Sequence, residues 1–242
     1  MAEFLLIHGS CHGAWCWHRV IPALADRGHT ARAIDLPSHG RDHTPAAEVT
    51  LDSYAAAICA ALSGPTIVVG HSMAGYPITA AAEHDPSHIA ALVYLCAYVP
   101  VSGLSLADMR RAGPRQPLAP AIRVDDSRTT FGFDPLQTNA LFYHDCDAEA
   151  QALAALCLSP QPIRPQETPL TLTPRSQSLP RHYIRCTEDR AIPPEYQTVM
   201  AQGLAPGHHT TLPASHSPFF ACPQAVAERL HNIALQTQAA AS

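Results

Sequence analysis

Gly70-His71-Ser72-Met73-Ala74 sets a serine among small residues directly after the apolar, β-branched residues 66–69. A serine hydroxyl is a poor nucleophile until a base takes its proton, and the base must be held in one tautomer by a carboxylate. The G-x-S-x-G spacing describes a strand that turns sharply into a helix and so exposes the serine Oγ above the helix N-terminus. Alanine stands at the second glycine position, followed at once by Gly75. Small residues at 70 and 74 would let strand and helix cross closely. The alternative is an ordinary turn in which Ser72 only caps the helix.

In such an architecture the partners follow in the order serine, acid, histidine, each on a loop at a strand's carboxyl end. "EDRAIPPEYQ", residues 188–197, follows a strand ending near Thr187, and "PASHSPFF", residues 213–220, follows one ending near Leu212. Asp189 is the predicted acid, with Glu188 as its rival. His216 is the predicted base, because His208 and His209 precede the last strand instead of following it. Acyl transfer also needs two N–H groups aimed at the developing oxyanion. Those of Met73 and of Ser10, in "IHGSCHGAWCW", are expected to serve. His8 and His12 are read as shaping this loop through their ring nitrogens.

These residues need a frame that brings loops 9–12, 72–73, 188–193 and 213–217 together. Strand and helix candidates alternate through the first hundred residues, the pattern of a parallel sheet covered by helices. "EFLLIHG" is read as a strand, 17–27 as a helix, "HTARAIDL" as a strand and 51–62 as a helix. "TIVVG", a helix over 73–84 and the strand "IAALVYLCAYV" follow. Residues 101–180 break the rhythm, with six prolines between 160 and 180 and one clear helix, "AEAQALAALCL". Asp145, Asp147 and Glu149 lie near that helix's N-terminus. This segment is expected to be an inserted cap on a core made of residues 1–100 and 181–242. Alternation resumes with "RHYIRCT", a helix near 194–203, "HTTLP" and a helix over 223–236, before an unstructured "QAAAS" tail.

Composition narrows the chemistry. The chain has 242 residues, a net charge of -5 and no lysine, its fifteen basic residues all being arginine. Schiff-base and P-loop chemistry are excluded, and no basic footprint for nucleic acid exists. No stretch approaches a membrane span, and "MAEFLLIHG" reads as a strand with no charged leader, which favours the cytoplasm. Eight cysteines without a C-x-x-C pair read as free thiols, several of them buried. No metal-ligand spacing is found among fifteen histidines.

In these motifs the chain resembles the α/β-hydrolase family of plant methyl esterases, hydroxynitrile lyases and bacterial carboxylesterases, including pyrethroid-cleaving ones. "LLIHGSCHGAWCWHRVIPALADRGHTARAIDLPSHG", "VVGHSMAG", "HYIRCTEDRAIPPEYQ" and "LPASHSPFFACP" carry the resemblance over nearly the full length. It implies an α/β-hydrolase fold, a mostly parallel sheet with helices on both faces, and a serine carboxylesterase without cofactor or metal. In the lyase branch it implies a threonine, an acid and a lysine where this chain has Gly9, His71 and Ser217. The expected substrate is a compact, hydrophobic small-molecule ester. Phe131, Phe133, Phe142 and Tyr143 are candidates to line its pocket, and long-chain or charged esters are expected to react slowly. A lactonase would use the same triad, and a ligand-binding member of the fold is the alternative from another class. A homodimer is the ordinary default.

Overall fold

The computed structural model describes residues 1–241, with the backbone alone for 240 and 241. The strands run β1 (Glu3–Ile7), β2 (Thr30–Ile34), β3 (Thr66–His71), β4 (Ile89–Leu95), β5 (Ile122–Val124), β6 (Thr130–Phe133), β7 (Gln161–Pro162), β8 (Arg181–Cys186) and β9 (His209–Leu212). Among the described residues, six form a sheet of order β2-β1-β3-β4-β8-β9 in which every neighbouring pair is parallel. Parallel strands need helical crossovers, and helices on both faces bury both sides of the sheet.

The pleat sends alternate side chains to opposite faces. Phe4, Leu6, Val69 and Val93 pack with Trp17 and Leu230 on one side. Leu5, Ile7, Val68 and Leu92 pack with Tyr54 and Ile78 on the other. The chain leaves β1 toward β2 and later toward β3, so strand order reverses between β1 and β3. The crevice outside the carboxyl ends at such a switch point is where open α/β sheets bind ligands.

Several expected helices differ at their ends. Residues 17–27 resolve into a 3₁₀ turn, Ala14–Trp17, and a short α-helix, Val20–Ala25. The helix after β3 is Gly75–His84, preceded by a 3₁₀ turn over Ser72–Ala74. The last helix is Pro223–Ala241, so the expected unstructured tail is helical through Ala241; alanine and glutamine are good helix formers. Ser242 lies outside the described residues.

Between β4 and β8 the chain holds more structure than the single helix read from its sequence. Besides Ala148–Cys157 it contains helices Leu106–Ala112 and Pro135–Phe142, and β5, β6 and β7 form a small antiparallel sheet. Two start signals were legible: the reciprocal Ser105–Asp108 capping box, and Asp134 capping a helix with Pro135 in its first turn. The strands are two to four residues long, too short for alternation to register. Gln161, fully buried, fastens this segment to the core by accepting from Cys11 N at 3.4 Å and donating to the Tyr54 hydroxyl at 3.1 Å. No helix among the described residues is long and apolar enough to cross a membrane.

Candidate active site

The turn after β3 carries Ser72 at φ 56°, a left-handed conformation that costs an L-residue about 1–2 kcal/mol. Two glycines make the turn sterically feasible. A Cβ on Gly70 would lie 2.8 Å from the Ala74 carbonyl oxygen, and one on Gly75 would lie 1.9 Å from that of Tyr98. The close approaches therefore fall at 70 and 75. Ala74 keeps its methyl group in the core, which is why alanine is tolerated where the motif has glycine.

Ser72 Oγ lies 2.9 Å from His216 Nε2, and His216 Nδ1 lies 2.7 Å from Asp189 Oδ2. The chain thus brings residues 144 and 27 positions apart into one hydrogen-bonded line. Asp189 is 4% exposed, and its other bonds fix it: Oδ1 accepts from Ala191 N at 2.7 Å and Ile192 N at 2.9 Å, and Oδ2 also accepts from Gln197 Nε2 at 2.8 Å. With Asp189 accepting at Nδ1, the His216 proton sits there and Nε2 is bare toward the serine hydroxyl. Glu188 is exposed; its N–H donates to the Ala214 carbonyl, and it forms no hydrogen bond or ion pair with His216. Gln197, one helical stretch beyond the acid, had no signal in the sequence that set it apart.

His71 is fully buried, and burial first, then the neighbouring His216 and His12, push its pKa well below the usual 6.5. It is neutral, and its Nε2–H donates to the His216 main-chain carbonyl at 2.7 Å. The Cys96 thiol donates to the same carbonyl at 3.6 Å. His71, Cys96 and His216 offer three metal-type ligand atoms within 4.8 Å of one another. Both nitrogens of His216 are engaged by Ser72 and Asp189, however, so this donor set suits hydrogen bonding better than a cation.

The loop after β1 is clamped by the two histidines expected to shape it. His8 Nδ1 donates to the Gly9 carbonyl at 2.9 Å and its Nε2 accepts from Leu36 N at 3.1 Å. His12 Nδ1 donates to the Ser10 carbonyl at 2.7 Å, and its Nε2 accepts from the Tyr143 hydroxyl, also at 2.7 Å. Burial lowers the His12 pKa to about 4, so the ring stays neutral. Gly9 itself packs against the nucleophile turn: a Cβ there would stand 2.7 Å from His71 Nδ1 and 2.9 Å from Ser72 Cβ. Ser217 is fully buried with an unpartnered hydroxyl. A threonine would clash at Gly9, and Ser217 offers a neutral hydroxyl where a lyase site has its lysine.

Ser10, Ser72, Met73 and His216 line one narrow cleft together with Phe131, Phe133 and Phe142. The Phe142 ring packs tilted, its centroid 5.6 Å from that of His216 and 4.8 Å from that of Phe133. Tyr143 does not reach the cleft; it is fully buried against the His12 ring. Three contributors escaped the sequence reading. Gln166 donates to Ser10 Oγ at 2.8 Å, tying the segment above the cleft to the first loop. Asp145, read only as helix-terminal charge, accepts from Ser215 N at 2.7 Å and so holds the histidine loop, while Asp147 is the residue that caps the helix. Arg110 also lines the cleft, one turn after Leu106 on the same face of its helix.

Residues 4–229 match the model of the alpha/beta hydrolase family. Methylesterase 18 of Arabidopsis thaliana is 31% identical over 92% of this chain and 93% of its own length. The pyrethroid hydrolase of Sphingobium wenxiniae is 30% identical over 97% and 88%. Among solved structures, a pyrethroid hydrolase from Sphingobium faniae superposes with a TM-score of 0.85 at 28% identity, over 96% of this chain and 97% of the other. Polyneuridine aldehyde esterase, 23% identical, shares the fold with a TM-score of 0.85 over 97% and 99%.

Proposed function

Since the chain belongs to the alpha/beta hydrolase family and is an esterase of it, we propose that it is a serine carboxylesterase for a small to medium hydrophobic ester, working through an acyl-enzyme. The observation that carries the reading is the line Ser72–His216–Asp189 opening into an aromatic cleft. The relatives' names, methylesterase and pyrethroid hydrolase, support a carboxylic ester as the substrate.

His216 Nε2 takes the Ser72 proton as Oγ attacks the ester carbonyl. Asp189 keeps the ring in place and stabilises the imidazolium that forms. The tetrahedral oxyanion is held by the Met73 and Ser10 N–H groups, which cost no reorganisation at the moment of reaction. His216 then gives its proton to the leaving alcohol. Water, activated by the same ring, releases the acid and regenerates Ser72. A lactone would pass through the same steps, the alcohol staying tethered to the acid.

The direct test is a fluorophosphonate probe followed by peptide mapping, with a panel of p-nitrophenyl and methyl esters beside it. Labelling at Ser72 that a good ester suppresses is expected. An unlabelled, ester-inert protein would mean a ligand-binding member of the fold.

A further inference from the structure

Helix Leu106–Ala112 carries three charged side chains, and they divide by face. Asp108 closes the capping box with Ser105 and accepts from Arg111 at 2.6 Å, on the solvent side. Leu106 and Arg110, one turn apart, both line the cleft that holds Ser72 and His216. Arg110 is half-buried there. The cleft lining contains no aspartate or glutamate. Among the described residues no carboxylate lies within ion-pairing distance of Arg110, so inside the cleft its charge has no anionic partner.

Tyr98 stands on the same lining, tied to the nucleophile turn by its N–H, which donates to the Ser72 carbonyl at 3.1 Å. Its phenol is close enough to feel the charge of Arg110. A guanidinium carries five N–H donors in a planar fork, and the lining offers its charge neutral groups but no anion once water is expelled. A carboxylate would fill that fork with two parallel bonds. A neutral ester would strip water from the cation and return nothing.

We propose that Arg110 is a specificity-determining residue and that the preferred substrates are esters carrying a second, free carboxylate, separated from the scissile carbonyl by an apolar spacer. The inference rests on the ester-hydrolase reading and deepens it: Phe131, Phe133 and Phe142 take the spacer, and Arg110 takes the anionic end. The expectation that charged esters react slowly is thereby reversed for one carboxylate at that end.

The test pairs isosteric esters. Monomethyl adipate against methyl hexanoate places the charge on the acyl side; 4-acetoxybutyrate against butyl acetate places it on the alcohol side. In the unaltered protein one pair should show a charged-to-neutral kcat/KM ratio of ten or more, which identifies the side. Arg110→Gln should lower that ratio at least tenfold, with Arg110→Lys between. A ratio below one in both pairs, or a ratio that Arg110→Gln leaves unchanged, overturns the proposal. Calorimetric binding of monomethyl adipate and 4-acetoxybutyrate to the Ser72→Ala protein, with and without Arg110→Gln, separates the two readings. Binding to Ser72→Ala weakened tenfold by Arg110→Gln, where the unaltered protein hydrolyses none of these esters, would uphold charge recognition and refute the hydrolase. Hydrolysis with binding indifferent to Arg110 would do the reverse.

Discussion

His71 Nε2 donates to the main-chain carbonyl of His216 at 2.7 Å, so the residue before the nucleophile holds the loop that carries the base. Elbow and histidine loop are thereby one unit, and the Ser72–His216 distance depends on a side chain that is not part of the relay. His71→Ala should lower kcat on the order of 10- to 100-fold, because about 1 Å of misplacement can cost that much. The KM should change little. His71→Gln can donate to the same carbonyl and should recover part of the loss; equal activities for the two variants would refute the positioning role.

Asp189, not Glu188, is expected to behave as the acid. Asp189→Asn should reduce kcat on the order of 10³- to 10⁴-fold by favouring the wrong imidazole tautomer, and Ser72→Ala should remove turnover. Glu188→Gln, an exposed change, should stay within about twofold. Steady-state kinetics on the best ester of the panel decides, and an inactive Glu188→Gln beside an active Asp189→Asn would reverse the assignment.

Gly9 should resist even the smallest side chain. Its missing Cβ is where His71 Nδ1 and Ser72 Cβ come within 3 Å, and neither is the free end of a flexible chain. Gly9→Ala should therefore displace the nucleophile turn or the first loop, cutting kcat by a factor on the order of 10² and destabilising by about 1–3 kcal/mol. Chemical denaturation and kinetics together test this, and a fully active, equally stable variant would show that the approach is looser than described.

Acid should unfold the protein through its buried histidines. Burial lowers the pKa of His8 and His71 well below 6.5 and that of His12 to about 4. The unfolded chain takes up protons near pH 6.5 that the native state refuses. The stability these rings contribute is complete above that pH and is lost as pH falls from 6.5 toward 4. Each ring should add up to about 1.4 kcal/mol per pH unit to the slope across that window. Urea midpoints from pH 7 to 4 measure it, and His12→Gln should flatten the curve. A slope of opposite sign would contradict neutral buried rings.

The sequence by itself determined the frame and the candidates for the reacting groups. Long apolar strands, the small residues around Ser72 and the serine–acid–histidine order are local or ordinal properties, written in a few consecutive residues each. It also named Ser10, Met73, Phe131 and Phe142 as candidates, and the structure sets all four on one cleft. What it left open was decided by contacts between segments far apart in the chain. Asp189 prevails over its neighbour Glu188 because the backbone after β8 turns one carboxylate inward onto Ala191, Ile192 and Gln197 and leaves the other in water. Gln166 meets Ser10, Asp145 meets Ser215 and Arg110 enters the cleft only because residues 101–180 fold back over the sheet's carboxyl edge. Periodicity reports which face of an element is buried, but not which distant loop will cover it. That choice is made by packing, where one side chain's direction settles whether it meets solvent, a backbone N–H or the reacting atoms.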